Sequence, residues 1–564
     1  MNRSDPFDTV RKFVGVSHVL TDDGATARYR LGFRSGGGPA VAVVRPGSLT
    51  ELWSVAKWCL ENDFIVIMQA ANTGLTEGST PNGEYDRPVV IINTLRINKT
   101  HLVRGGEQVI CHAGATLNAL ETALAAHGRA PHSVLGSSCI GASVVGGICN
   151  NSGGALIERG PAYTEMALFA RLNRGGRLVL ENNLGIHLGS DPETILKRLD
   201  AGDYDDSDII HDSKWGSDHE YGGRVRDVTA SSPSRFNADK RRLFEASGSA
   251  GKVVVFAVRV DTFPQHEAEK TFYLGTNDPS IFARLRIDIL SRHRTLPVSA
   301  EYIHGDLFDL TALYGKDMVF AIDRLGTRNI PRLFEVRARC DAALSRLKMF
   351  GNHALDRSLQ LVNRFSPRIL PRRLLAFRKA FAHHLILTTH DDGIPEAEAL
   401  LRRFKSRFGA MFDYFACSDR EARLASLHRF AAAGAAVRYA AVHAGEVGGL
   451  ISLDIALRRN EIEWLEILPD SLAAKISHRL YYGHFLCHVF HQDYIVKGGV
   501  DVEQVKRELL AIVQARGAEY PAEHNVGHLY NANEDLARFY MELDPTNSLN
   551  PGIGKLPRSK CYTN

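Results

Sequence analysis

At 564 residues, with 44% hydrophobic and 23% charged positions and no low-complexity tract, the chain is too long for one core. At about 150 residues per domain it is expected to form three or four folded units. A formal net charge of +4 excludes a general polyanion binder, and eight scattered cysteines without a CxxC pair exclude a disulfide framework and suggest reduced thiols in a cytoplasmic compartment. The opening MNRSDPFDTV has early acids and no apolar core, unlike a secretory signal. Apolar runs such as Val253–Val258 and Phe430–Val437 fall far short of the ~20 residues of a spanning helix, so any membrane contact is expected to be peripheral.

Strand and helix signals alternate through the first part of the chain. Leu52–Leu60 has helical spacing, Phe64–Met68 reads as a buried strand, and Ala70–Gly83 (AANTGLTEGSTPNG) is a glycine loop before a second apolar strand, Val89–Ile92. Val109–Cys111 predicts another strand, Thr116–His127 a helix, and Leu172–Leu180 a hairpin turning at Gly175–Gly176. Asp191–Asp239 is polar and is expected to be irregular before the strand Lys252–Val260. Between Arg324 and Lys379, 14 Lys/Arg face three acids, a net charge of +11, with Phe334, Phe350, Phe365 and Phe377 among them. From Pro521 on, glycine, proline, asparagine and histidine predict a loop-rich segment packing back onto a site.

Three groups of residues carry candidate chemistry. Gly74, Gly78 and Ser79 leave backbone N–H groups free to converge on a pyrophosphate, although the loop is neither GxGxxG nor GxxxxGKS and a plain surface turn fits it equally. Gly136–Gly154 is rich in glycine and serine, yet its other residues are largely apolar, which predicts a buried loop shaped around something large. His484, His488 and His491 lie within eight residues, and Glu523, His524 and His528 follow. His488 and His528 read as structural. His484, His491 and Glu523 are candidate site residues without a metal, and as an alternative two histidines and a carboxylate suit an open Zn-type metal site.

The two glycine segments resemble those of the vanillyl-alcohol oxidase and p-cresol methylhydroxylase type of FAD-binding domain, and Leu243–Val258 is similar to its third cofactor contact. Longer runs, QAANTGLTEGSTPNG, Val145–Gly154, RGPAYTEM and NPGIGK, resemble the respiratory, quinone-linked D-lactate dehydrogenase family of bacteria, which are peripheral membrane flavoproteins. The resemblance implies non-covalent FAD held by Ala70, Ala71, Asn72, Thr73, Gly74, Gly78, Ser79, Gly136, Ser143, Gly153 and Val255. It also implies a substrate pocket lined by Gly483–His484, His491 and Glu523–His524, with Asn525 replacing the family's usual glycine, and a substrate-carboxylate arginine at Arg429. A solvated helix arginine is the competing reading of Arg429.

Oxidising a 2-hydroxy acid requires a base for the hydroxyl proton, and His524 is assigned that role. The expected architecture is α+β. An FAD-binding domain occupies 1–261 (core 36–206), and a cap (substrate) domain 262–303, 381–418 and 443–512. A basic, largely helical membrane-binding insert covers 304–380 and 419–442, and 513–564 returns to the FAD domain. The expected partners are D-lactate, a membrane quinone and anionic phospholipid bound through Arg324–Lys379 on the cytoplasmic face of the inner membrane, not nucleic acid. The alternatives are another D-2-hydroxy acid such as D-2-hydroxyglutarate, a metal-dependent hydrolase on the His/Glu cluster, and a basic surface-binding protein with a vestigial flavin domain.

Overall fold

The computed structural model describes residues 5–33, 35–132, 141–210, 213–326, 354–365 and 369–563. Its first sheet holds β1 (Val19–Leu20), β2 (Ala42–Val44), β3 (Ile65–Gln69) and β4 (Val89–Asn93) in the order β1-β2-β4-β3. β2 and β3 run parallel to β4, and these strands are almost unbroken apolar runs because both faces are covered. The helix Leu49–Glu61 covers one face: Ser48 caps it, and Leu49, Leu52, Val55, Ala56 and Cys59 recur at helical spacing as its buried stripe.

The next strands are β5 (Thr100–Val103), β6 (Gln108–His112), β7 (Arg129–Ala130), β8 (Ala167–Leu172), β9 (Leu178–Asn182), β10 (Val254–Asp261) and β11 (Phe263–Pro264). Five of them form an antiparallel sheet in the order β5-β6-β10-β8-β9, while β7 pairs with β11. The predicted hairpin is β8–β9, with Gly176 at φ 74° in its turn.

A seven-stranded antiparallel sheet follows: β12 (Glu269–Thr276), β13 (Ser299–His304), β14 (His383–His390), β15 (Phe412–Ala416), β16 (Val447–Ala456), β17 (Ile476–His484) and β18 (Val489–Lys497). Its order is β15-β12-β14-β13-β17-β18-β16. One face packs Tyr302, Phe485 and Phe490 around Trp464, with the helices Pro279–Arg292, Gly393–Phe408 and Val502–Ala515. The other packs Ile303, Leu480 and Tyr482 against the helices Gly305–Tyr314 and Asp419–Val442.

The architecture is α+β, as expected. Asp191–Asp239 departs from the expected irregular excursion, because it contains the helices Pro192–Ala201 and Tyr221–Arg226. Asp191 caps the first of these and Pro192 starts it, a helix-opening signal that outweighs the polar composition. Likewise, Asn533 caps the helix Glu534–Leu543 within the expected loop-rich end. Of the basic segment, residues 327–353 and 366–368 lie outside the described residues, and the described parts include the helices Ala354–Phe365 and Arg372–Ala380.

Candidate active site

The first glycine loop leaves the end of β3. Gln69 donates from Nε2 to Tyr29 O and Ser79 O, each at 2.8 Å, so the strand end closes the loop on itself. Ser79 donates to Asn72 Oδ1 at 2.8 Å and Asn93 to Ala70 O at 2.9 Å. Held in this way, Ala70–Gly74, Gly78 and Ser79 line a cleft of about 1380 Å³, its open mouth included. Ser143 and Val255 line it too, with Val144, Val145 and Val253 as further apolar wall.

A Cβ on Gly74 would meet nothing within 4 Å, and one on Gly78 only Gly527 Cα at 3.9 Å. Protein packing therefore does not demand glycine at these positions. Its absence of a side chain keeps the backbone open to whatever fills the cleft, and a polar loop facing apolar walls fits a diphosphate joined to a flat ring. The C-terminal NPGIGK run braces this wall, since Asn550 Nδ2 donates to Gly78 O and Ala250 O, each at 2.8 Å. Gly136 lies outside the described residues. Gly153 is not among the cleft-lining residues; it sits against Glu523.

Strand register assembles the rest of the site. Glu301 on β13 lies opposite His484 on β17, Tyr482 lies opposite His491 on β18, and His491 lies opposite Asp454 on β16. Side chains alternate with period two, so all five project from one face of the sheet. The C-terminal segment then docks on Asp454, whose Oδ2 accepts from Glu523 N at 2.8 Å and His524 N at 3.2 Å.

The resulting row of charges alternates in sign. Arg429 Nη2 lies 2.9 Å from Glu301 Oε2, and Glu301 Oε1 lies 2.6 Å from His484 Nδ1. His484 Nε2 lies 3.1 Å from Glu523 Oε2, and Arg235 Nη2 donates to Glu523 Oε1 and, at 2.7 Å, to Gly154 O. Burial opposes charge on His484, but the Glu301 and Glu523 carboxylates override it and raise its pKa to about 10. His484 is thus an imidazolium at neutral pH. Burial instead pushes His491 well below its usual pKa, so it is neutral there, with Nε2 at 3.6 Å from Glu523 Oε2 and Nδ1 at 3.5 Å from Asp454 Oδ1.

Arg429 is buried in the helix Asp419–Val442, with its guanidinium 4.5 Å over the Tyr482 ring, rather than solvated. Its Nε makes no hydrogen bond. His524 joins the two halves of the site: it lines the cleft with Asn525, and its Nε2 lies 3.9 Å from Asp454 Oδ2. His488 is buried at φ 57° in the β17–β18 turn and bonds Arg458 O at 3.1 Å, and His528 bonds Gly552 O at 3.1 Å, both structural positions.

Sequence reading missed Glu301, Asp454 and Arg235. An acid inside an apolar strand run, as in ISLDIAL around Asp454, is a signal that could have found one of them; Arg235 carries none. His484, His491 and Glu523 also present one ligand atom each within 4.8 Å of one another, a donor set that suits Zn²⁺.

Comparison with known proteins places these features in a family. A family described as "D-lactate dehydrogenase, membrane binding" matches residues 271–562, and an "FAD binding domain" matches 40–171. The quinone-dependent D-lactate dehydrogenase of Escherichia coli (strain K12) is 55% identical over 553 residues, covering 98% of this chain and 96% of that protein. That of Haemophilus influenzae is 52% identical over 550 residues, 97% of each. Among solved structures, p-cresol methylhydroxylase with substrate bound superposes with TM-score 0.57 over 98% of this chain and 96% of that chain at 12% identity. Alkyldihydroxyacetonephosphate synthase gives 0.57 over 98% of this chain and 86% of that chain at 10% identity. At such identities these two share the fold alone.

Proposed function

The chain belongs to the family of quinone-dependent D-lactate dehydrogenases, and from that membership we propose which of its residues carry the reaction. It is a peripheral membrane flavoenzyme that oxidises D-lactate to pyruvate and passes the electrons to a quinone. Among the described residues, no helix is long and apolar enough to cross a membrane. FAD, when bound, supplies the hydride acceptor and the route of the electrons to quinone.

The observation that carries the residue assignment is that His524 lines the same cleft as the glycine loop. The residues that would hold FAD, without a covalent bond, are Ala70, Ala71, Asn72, Thr73, Gly74, Gly78, Ser79, Ser143 and Val255, with Gly136 by resemblance. His524 takes the hydroxyl proton, with Asp454 accepting its backbone N–H and fixing its place. Arg429, whose Nε is free of hydrogen bonds, receives the substrate carboxylate. His484, His491 and Glu523 line the substrate pocket, and Gly153 makes room for Glu523.

In a second reading, supported by their convergence within 4.8 Å, His484, His491 and Glu523 would hold a divalent metal, which would displace the His484 proton on binding and lower the pKa of the hydroxyl. Elemental analysis together with activity after chelation separates the two readings. Anaerobic bleaching of bound flavin tests the substrate: D-lactate should bleach it and L-lactate should not. Equal bleaching by D-2-hydroxyglutarate would move the assignment towards a broader D-2-hydroxy acid dehydrogenase.

Docking is assigned to anionic phospholipid on the cytoplasmic face of the inner membrane, a compartment that suits the free described cysteines. The helix Ala354–Phe365 exposes Leu361, Val362 and Phe365 in the basic Arg324–Lys379 segment. Each Lys/Arg at an anionic surface adds about 1 kcal/mol, so half of the 14 would hold the protein there. Binding to anionic vesicles should fall with salt, and equal binding to neutral vesicles would contradict the assignment. The FAD-binding and cap units, proposed with the boundaries given above, are supported by their separate sheets, and the insert helices Gly305–Tyr314 and Asp419–Val442 pack on one face of the cap sheet.

A further inference from the structure

Outside the site just described, one cluster gathers metal-ligating side chains from three separate parts of the chain. Glu158 lies in the segment after the helix Val144–Cys149, His266 in the turn between β11 and β12, and His390 is the last residue of β14. Glu158 Oε1 is 3.0 Å from His266 Nε2, and Glu158 Oε2 is 3.4 Å from His390 Nε2. The two imidazoles stack at 3.7 Å between centroids, 25° apart, so both Nε2 atoms face the same carboxylate. On the opposite edge, Asp391 Oδ2 lies 3.1 Å from His390 Nδ1 and 3.8 Å from His266 Nδ1.

We infer that Glu158, His266 and His390 form a binding site for a divalent transition metal of the Zn²⁺ class, clamping the flavin-binding part of the chain to the end of strand β14 in the seven-stranded sheet. A tetrahedral ion with ligands at about 2.0–2.1 Å separates its donors by about 3.3 Å. The Glu158 carboxylate offers one oxygen to each imidazole, Oε1 at 3.0 Å from His266 Nε2 and Oε2 at 3.4 Å from His390 Nε2, each close to that value. One ligand atom from each of the three residues lies within 4.8 Å of the others. His390 Nε2 is buried and makes no hydrogen bond, its nearest charged neighbour being Glu158 Oε2 at 3.4 Å, and with the ring proton on Nδ1 towards Asp391 its lone pair is open to an ion. Asp391 stands where a carboxylate accepts the second ring N–H of a ligating histidine and fixes its tautomer.

Two imidazoles and one carboxylate favour Zn²⁺ over the oxygen-seeking Mg²⁺ and Ca²⁺. The side chains keep 13% (His266), 14% (His390) and 23% (Glu158) of their exposure, which gives an ion an entry path and water a fourth position. The nearest competing cation, Arg159, has Nη2 3.7 Å from Glu158 Oε1, but it is engaged by Pro131 O and stacks 4.7 Å over Phe263.

The test is calorimetric titration of ZnCl2 into untagged, chelator-treated holoenzyme, using wild type, H266N/H390N, D391N and H491N, the last removing a ligand of the separate His484–His491–Glu523 cluster. Wild type and H491N should both bind one equivalent that H266N/H390N loses, and D391N should bind it about 10–100-fold more weakly. Zinc should raise the Tm of wild type and H491N but not of H266N/H390N, whose flavin reduction by D-lactate stays at the wild-type rate. If H266N/H390N does not fold, E158Q takes its place, with flavin absorbance reporting its integrity. Unchanged zinc stoichiometry and affinity in the folded variant, or no zinc binding by H491N at micromolar concentrations, would overturn the site.

Discussion

Gly153→Ala tests whether the position of the Glu523 carboxylate, rather than its charge, limits the reaction. A Cβ at 153 would lie 2.5 Å from Glu523 Oε1 and 2.7 Å from its Cδ and Cγ. Non-bonded contacts settle near about 3.5 Å, so the carboxylate must retreat by about 1 Å. It has no free direction in which to do so: Arg235 holds one oxygen, His484 the other at 3.1 Å, and Gly153 N donates to Glu523 O at 3.3 Å. A displacement of that size at a reacting centre costs about 100-fold in rate. Gly153 does not line the cofactor cleft, so FAD content should stay normal. The absorbance ratio at 280 and 450 nm measures FAD content, and stopped-flow bleaching by D-lactate measures the rate. Wild-type bleaching in a fully FAD-loaded variant would refute the reasoning, while loss of FAD would return Gly153 to the cofactor contacts.

Three further outcomes are expected. His524→Ala should slow flavin reduction by D-lactate about 10²–10⁴-fold with reduction by dithionite unchanged, and a loss below tenfold would remove His524 as the base. Glu301→Gln leaves Arg429 and His484 without their shared carboxylate, and such a change at a buried pair costs about 3–5 kcal/mol, read by urea unfolding; unchanged stability would mean that the row of charges is not coupled. His428 donates to Phe308 O at 3.1 Å, and burial lowers its pKa to about 4, below the ~6.5 of the unfolded chain. The stability of its neutral form is therefore complete above pH 6.5 and lost as pH falls towards 4, about 2 kcal/mol of it by pH 5. His428→Gln should remove that share of the acid sensitivity, and an identical pH dependence of stability would refute it.

Legibility followed distance along the chain. The β3 and β4 strands, the glycine loop between them and the β8–β9 hairpin were readable because each signal fits within a short window. His484 and His491 were readable for the same reason: they are seven residues apart across one tight hairpin turn. The helices at Pro192–Ala201 and Glu534–Leu543 were not, because polar composition masked their capping residues.

The residues thus determined by themselves two glycine loops suited to a large ligand, a histidine cluster and a basic segment, and, through resemblance, FAD and the class of reaction. Tertiary structure decided the electrostatics of the site. Glu301 meets His484 from 183 residues away, and Arg235 meets Glu523 from 288. Such partners are chosen by which strands pair and in what register, and a one-residue slip would turn Glu301 to the other face of the sheet. It is this pairing that makes His484 a cation while His491, on the neighbouring strand, stays neutral. Spacing brought the histidines together, and only the fold gave them different charges.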